Sequence, residues 1–287
     1  MLDNLNVDFS RKAVFMPGSI APFEVWRDEW LTDFSEDNLE LISWWAANLC
    51  HIAYCSPAGI AEILQGRGEL LRVFQHRNEM AFAVRVKDII FLVFQGSAGG
   101  EDVVLDISFL PTKDGEYYVH RGFKKALNYL WSDIAGFLDE YSSSKFYYCG
   151  HSLGGAMAQL SALRVAPAGI VTFGSPRVAF AGFQRAFKVP HWRFVNGSDL
   201  VTFFLPVSFG FRHTGELVFI NRNQTLLKKP SFVQRFGSQL RGSLQYALSC
   251  RWLNWRNNLT RSLTDHAPVN YCRALSRHLL IDELEKK

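Results

Sequence analysis

Between residues 146 and 155 the chain reads Phe146-Tyr147-Tyr148-Cys149-Gly150-His151-Ser152-Leu153-Gly154-Gly155, an apolar run that ends in a serine between glycines. A strand turning straight into a helix at Ser152 forces that residue into a strained backbone conformation. The two elements then pass so closely that side chains are excluded at Gly150 and Gly154. Ala156, Met157, Leu160, Leu163 and Val165 follow at helical spacing until Pro167, so the strand-turn-helix context is present on both sides. Gly150, His151 and Gly154 are accordingly read as a nucleophile elbow that leaves the Ser152 hydroxyl exposed at the strand end.

The remaining periodicity supplies the sheet around this strand. Residues 1–38 are an arm with scattered aromatics, expected to be irregular and to pack on the surface. From Leu39 the positions Ile42, Trp45, Ala46, Leu49 and Ile52 predict a helix, and Ile60 to Leu64 a short second one. Met80–Val86 and Ile89–Phe94 read as an antiparallel pair, and Phe123 to Tyr141 as a long amphipathic helix. Ile170–Phe173 and Trp192–Val195 read as further strands. This alternation predicts one α/β domain over 1–287, with a largely parallel central sheet, helices on both faces, and functional loops at the carboxyl ends of the strands.

A serine hydroxyl needs a base, and the base needs a carboxylate to fix its tautomer. In this architecture the partners follow in the order serine, acid, histidine. The carboxylates between Ser152 and His266 are Asp199, Glu216 and Asp265. Asp265 adjoins His266, and neighbouring side chains diverge; Glu216 lies in a strand-like run. Asp199, in a loop after a strand, is the acid of choice, and His266, just ahead of an apolar helical stretch, is the base. His213 is the competitor and is read as structural. The N–H of Leu153 and Ser97, at the end of the strand Phe91–Phe94, are placed to donate to an oxyanion.

These blocks resemble the class 3, fungal-type, lipase family of the α/β-hydrolase fold. The resemblance rests on Val93–Ser97, Val119–Phe123, Gly150–Ala156, Thr172–Val178 and Val195–Val201, closed by Asp265-His266 and Tyr271. It covers about residues 40–280 and implies carboxylic-ester hydrolysis on lipids through an acyl-enzyme, without cofactor or metal. The family's nucleophile, acid and base fall on Ser152, Asp199 and His266, and its oxyanion donors on Ser97 and Leu153. The chain departs from the family at Ala98–Leu105, where a tryptophan-bearing lid is replaced by a segment with two glycines and two acids, and at Ala179-Phe180. An esterase for small or aryl esters is the alternative, and a non-enzymatic lipid-binding descendant a more distant one.

Residues 222–264 form a basic insert that contains Arg235, Arg241 and Arg256 and no acid, interleaved with Phe232, Phe236, Leu240, Trp252 and Trp255. Such a pattern fits a helical cap that docks on anionic lipid surfaces, or a hairpin packed on the domain with a solvated basic face. The five cysteines follow no metal-ligand spacing, and the formal charge is only +4. Nothing in the motifs points to nucleic acid. The N-terminus lacks the basic and apolar regions of a Sec signal and no apolar run reaches membrane-span length, so the expectation is a cytoplasmic protein or one exported without that signal.

Overall fold

The fold is built on alternating apolar strands whose two faces are each covered by helices. A computed structural model describes residues 5–97, 110–250 and 261–286, with side chains described through residue 241 of the long helix that ends at 250. In chain order the elements are α1 (Arg11–Phe15), α2 (Asp28–Thr32), α3 (Leu39–Ile52), α4 (Pro57–Leu64), β1 (Glu69–His76), β2 (Glu79–Val86), β3 (Ile89–Phe94), β4 (Pro111–Asp114), β5 (Tyr117–His120), α5 (Arg121–Glu140), β6 (Lys145–His151) and α6 (Leu153–Arg164). The second half contributes β7 (Gly169–Phe173), β8 (Ala179–Phe180), α7 (Ala181–Ala186), β9 (His191–Asn196), β10 (Phe211–Arg212), β11 (Glu216–Ile220), β12 (Leu226–Lys228), α8 (Phe232–Cys250), α9 (Arg261–Thr264) and α10 (Pro268–Glu285).

The main sheet has the order β1-β2-β3-β6-β7-β9-β11-β12. Its centre, β3 through β11, is parallel, while β1, β2 and β12 are joined antiparallel. Alternation sorts the strand residues: Phe91 and Val93 pack under α3 and α10, whereas Ile90, Leu92 and Phe94 pack under α5 and α6. The expected layering is therefore present. A smaller sheet, β10-β8-β5-β4, was not foreseen. Its strands are too short to show a period, and its clearest local signal is the Gly115-Glu116 turn after Asp114, with φ +57° at Gly115.

Two expectations are corrected. The N-terminal segment is not a surface arm: Leu5, Phe23, Trp30 and Phe34 are buried in the same core as α3. Trp30 and Trp44 meet edge to face at 4.9 Å, and Phe23 contacts both Trp44 and Trp45. Arg273 of α10 fixes the segment further, donating to both carboxylate oxygens of Glu24 at 2.7 Å. The basic insert is not helical from its start either, because residues 226–228 extend the main sheet as β12 before Ser231 and Gln234 cap α8 reciprocally. Trp252, Trp255, Arg256 and the Ala98–Leu105 segment lie outside the described residues. Among the described residues no helix is long and apolar enough to cross a membrane.

Because Trp30 is buried in a tight aromatic cluster, Trp30→Ala should lower the unfolding free energy by about 3–5 kcal/mol in denaturant titration. A loss below about 1 kcal/mol would mean that the segment merely lies on the surface.

Candidate active site

Register brings the site together. Phe94 pairs with Gly150, His151 with Phe173, and Phe173 with Phe194, so the loops after β3, β6, β7 and β9 leave the sheet at one edge. Ser97, Ser152, Gly174 and Asp199 stand just beyond those strand ends.

Ser152 has φ +57° and ψ −126°, the strained turn expected between β6 and α6. A Cβ on Gly154 would collide with the Phe94 carbonyl, and one on Gly150 with the Gly154 backbone. The Ser152 N–H donates to the Phe173 carbonyl at 2.9 Å, tying the turn to β7. Leu153 opens α6, so its N–H is one of those that helix geometry leaves without an intrahelical acceptor. Ser97 is half-buried beyond β3.

Asp199 is fully buried and His266 nearly so. His266 Nδ1 lies 3.0 Å from both oxygens of Asp199. An ionised carboxylate only accepts, so Nδ1 carries the proton and Nε2 is left with its lone pair. The same carboxylate accepts from Tyr271 Oη at 2.6 Å and from the Val201 N–H at 3.0 Å. Tyr271 Oη in turn accepts from the Asn196 N–H at 3.1 Å, so α10 is tied to both β9 and the Asp199 loop. Asp265, set aside as an orienting acid, has a separate task. It accepts from the Ser198 N–H at 2.7 Å and from Arg261 at 3.2 Å, clamping the loop that carries Asp199; burial pushes its carboxyl up to about 6.

His151 does more than fill the elbow. Its Nδ1 is 2.7 Å from Tyr54 Oη and its Nε2 is 2.7 Å from the His266 carbonyl. Only a donor can meet that carbonyl, so Nε2 carries the proton and Nδ1 accepts from Tyr54. Its ring lies 4.4 Å from the His266 ring. Burial, reinforced by the His266 charge, holds His151 well below the usual histidine range, and burial raises the Tyr54 hydroxyl. A neutral His151 thus braces the His266 backbone. Tyr54 carried no local sequence signal for this role.

The other candidates fall as follows. His213 Nε2 donates to the Thr202 carbonyl at 3.0 Å, away from the Asp199 pair. Glu216 is exposed and paired with Lys229. His191 is buried between Thr172 and Thr214, both at 2.9 Å, and Thr214 donates to Gln159 of α6 at 2.7 Å. Arg235 is half-buried and Arg241 exposed on α8. Cys50, Cys149 and Cys272 are buried free thiols.

The arrangement offers a strained serine, an imidazole whose Nδ1 is engaged by a carboxylate while Nε2 points away from it, and a buried carboxylate held on that imidazole. Residues 91–209 match the family described as Lipase (class 3). A lipase from Rhizomucor miehei is 34% identical over 153 residues, 47% of this chain and 42% of its own length. Toxin TseL from Vibrio cholerae is 35% identical over 116 residues, 37% of this chain and 18% of the toxin. The chain thus spans less than half the length of these relatives. Lipase II from Rhizopus niveus superposes with a TM-score of 0.55 at 23% identity, covering 65% of this chain and 82% of that one, and shares the α/β-hydrolase fold.

The buried neutral histidines give the site a pH signature. Burial and the Arg193 charge lower His191 from 6.5 to about 3, so below about 6.5 the unfolded chain binds a proton that the folded one refuses. Unfolding free energy should fall as pH drops from about 6.5 toward 3, and less steeply in His191→Gln. Identical pH slopes for the two proteins would contradict this account of His191.

Proposed function

Since residues 91–209 belong to the class 3 lipase family, we propose that the chain is a serine carboxylic-ester hydrolase acting on lipids. The observation that carries this reading is the Nδ1 bond of His266 to both oxygens of buried Asp199, which leaves Nε2 as the only base the imidazole can offer. In the proposed cycle Ser152 Oγ attacks the acyl carbonyl as His266 Nε2 takes its proton. The oxyanion is met by the Leu153 N–H and by Ser97. His266 returns the proton to the leaving alcohol, and an acyl-Ser152 ester remains. Water then repeats the sequence, releasing fatty acid and restoring the serine.

Asp199 stays ionised and orients the base. Tyr271 and the Val201 N–H hold that carboxylate, and the His151–Tyr54 pair supports His266 from behind. Exposed Phe232, Val233, Phe236 and Leu240 on α8, with cationic Arg241 beside them, support contact with a lipid interface.

Product analysis tests the reading. Wild type incubated with triacylglycerol emulsion or phospholipid vesicles should release fatty acid, and Ser152→Ala should lose at least about 10³-fold of that rate. Equal release by both proteins would refute it.

A further inference from the structure

Arg177, in the loop after β7, and Arg212 on β10 hold main-chain carbonyls of the stretch that follows Asp199, and Arg193 on β9 and Arg235 on α8 lie close enough for their charges to act within the same group. Arg177 Nη1 donates to the Phe203 carbonyl at 2.9 Å and more weakly to those of Phe204 and Leu205. Arg212 Nη1 donates to the Val207 and Phe211 carbonyls at 2.8 and 2.9 Å. Arg193, buried on β9, reaches the Thr214 carbonyl through Nε at 3.4 Å. Arg235 of α8 has a buried Nε without a partner among the described residues.

Carbonyl oxygens orient these guanidiniums but carry no net charge to balance them. Among the described residues the arginine ion pairs lie elsewhere, at Arg27, Arg72, Arg85, Arg164, Arg261 and Arg273. The four also act on one another: burial, then the charges of Arg177 and Arg235, pushes Arg193 down to about 10, and Arg212 lowers Arg177 after burial. Arg235 stands near the N-terminal end of α8, where the helix dipole adds further positive potential. Arg193 is buried and Arg177, Arg212 and Arg235 are half-buried, so positive charge gathered here without a carboxylate partner among the described residues favours an anion.

The cluster adjoins the triad through the chain. Gly174, whose Cβ would press on Asp199 and His266, is followed by Ser175-Pro176-Arg177, and Asp199 leads directly into the 200–205 stretch that Arg177 grips. The outer side of that stretch is apolar, with Leu200, Phe203 and Val207 exposed, and on α8 Phe232 and Val233 are 70% and 77% exposed. An anion site bordered by exposed apolar side chains suits an amphiphile. Guanidiniums match the geometry of phosphate.

We propose that Arg177, Arg193, Arg212 and Arg235 form a subsite for the headgroup phosphate of a glycerophospholipid whose acyl ester is presented to Ser152. This rests on the hydrolase reading above and narrows its substrate from lipids in general to phospholipids.

The test compares hydrolysis of phosphatidylglycerol and of diacylglycerol with the same acyl chains, each in neutral detergent micelles, by wild type, Arg212→Gln, Arg235→Gln and the double variant. The ratio of phospholipid to diacylglycerol rate should fall about tenfold for each arginine removed. Inorganic phosphate should compete with the phospholipid and not with diacylglycerol. An unchanged ratio, or a parallel fall on both substrates, would overturn the proposal. Phosphate binding that the variants abolish with no change in the ratio would assign the cluster to free phosphate and overturn it equally. Should wild type hydrolyse neither lipid, the hydrolase reading fails on its own. Binding of phosphatidylglycerol over diacylglycerol micelles by Ser152→Ala, with and without the two arginines, then decides the subsite: selective binding lost with the arginines supports it, and unselective binding refutes it.

Discussion

The close crossing of β6 and α6 is the constraint from which the rest of the site follows. Where Gly154 meets the Phe94 carbonyl and Gly150 meets Gly154, any side chain would force the helix off the strand. The helix therefore starts at the sheet edge, and Ser152 absorbs the turn at φ +57°. That placement puts the serine at the positive end of α6, beside the end of β3, and within the arc of loops leaving β7 and β9. Strain at one residue is held by a main-chain bond to β7 and by the apolar packing of α6 beneath the sheet.

The proposed acid and base depend on a different kind of support. Asp199 and His266 come from a short loop and from the turn before α10, neither of which is rigid on its own. Their relative position is fixed by polar contacts that are buried and so carry a high cost when unmade. Tyr271 and Val201 fasten the carboxylate, Asp265 fastens the loop through Ser198, and His151 fastens the His266 backbone. The neutral state of His151 matters here. A second positive charge 4.4 Å from the His266 ring would oppose formation of an imidazolium there.

Much of this was legible in the sequence, for identifiable reasons. The elbow has a short-range signature, since glycine, serine and helical spacing all fall within twenty residues. Asp199 and His266 could be reached by elimination because few carboxylates lie between Ser152 and His266, and the structure brings those two together as expected. The parts that could not be read are those made by distant residues. Tyr54 meets His151 across 97 positions, and its surroundings, Ala53 to Pro57, read only as the end of a helix. The N-terminal aromatics follow no period, so nothing marked Phe23 and Trp30 as core. The same limit hid the arginine cluster: the charge density along the chain drew attention to 222–264, whereas Arg177, Arg193 and Arg212 are scattered singly and gather only through the fold.

The central claim is that the Asp199–His266 pair activates Ser152, and the most direct measurement is the rate at which a serine-directed phosphonate labels the protein, with the modified residue identified by peptide mapping. The account predicts labelling at Ser152 in wild type, slowed by about 10³-fold or more in His266→Ala. Labelling at another residue, or at Ser152 with the same rate after His266 is removed, would contradict it.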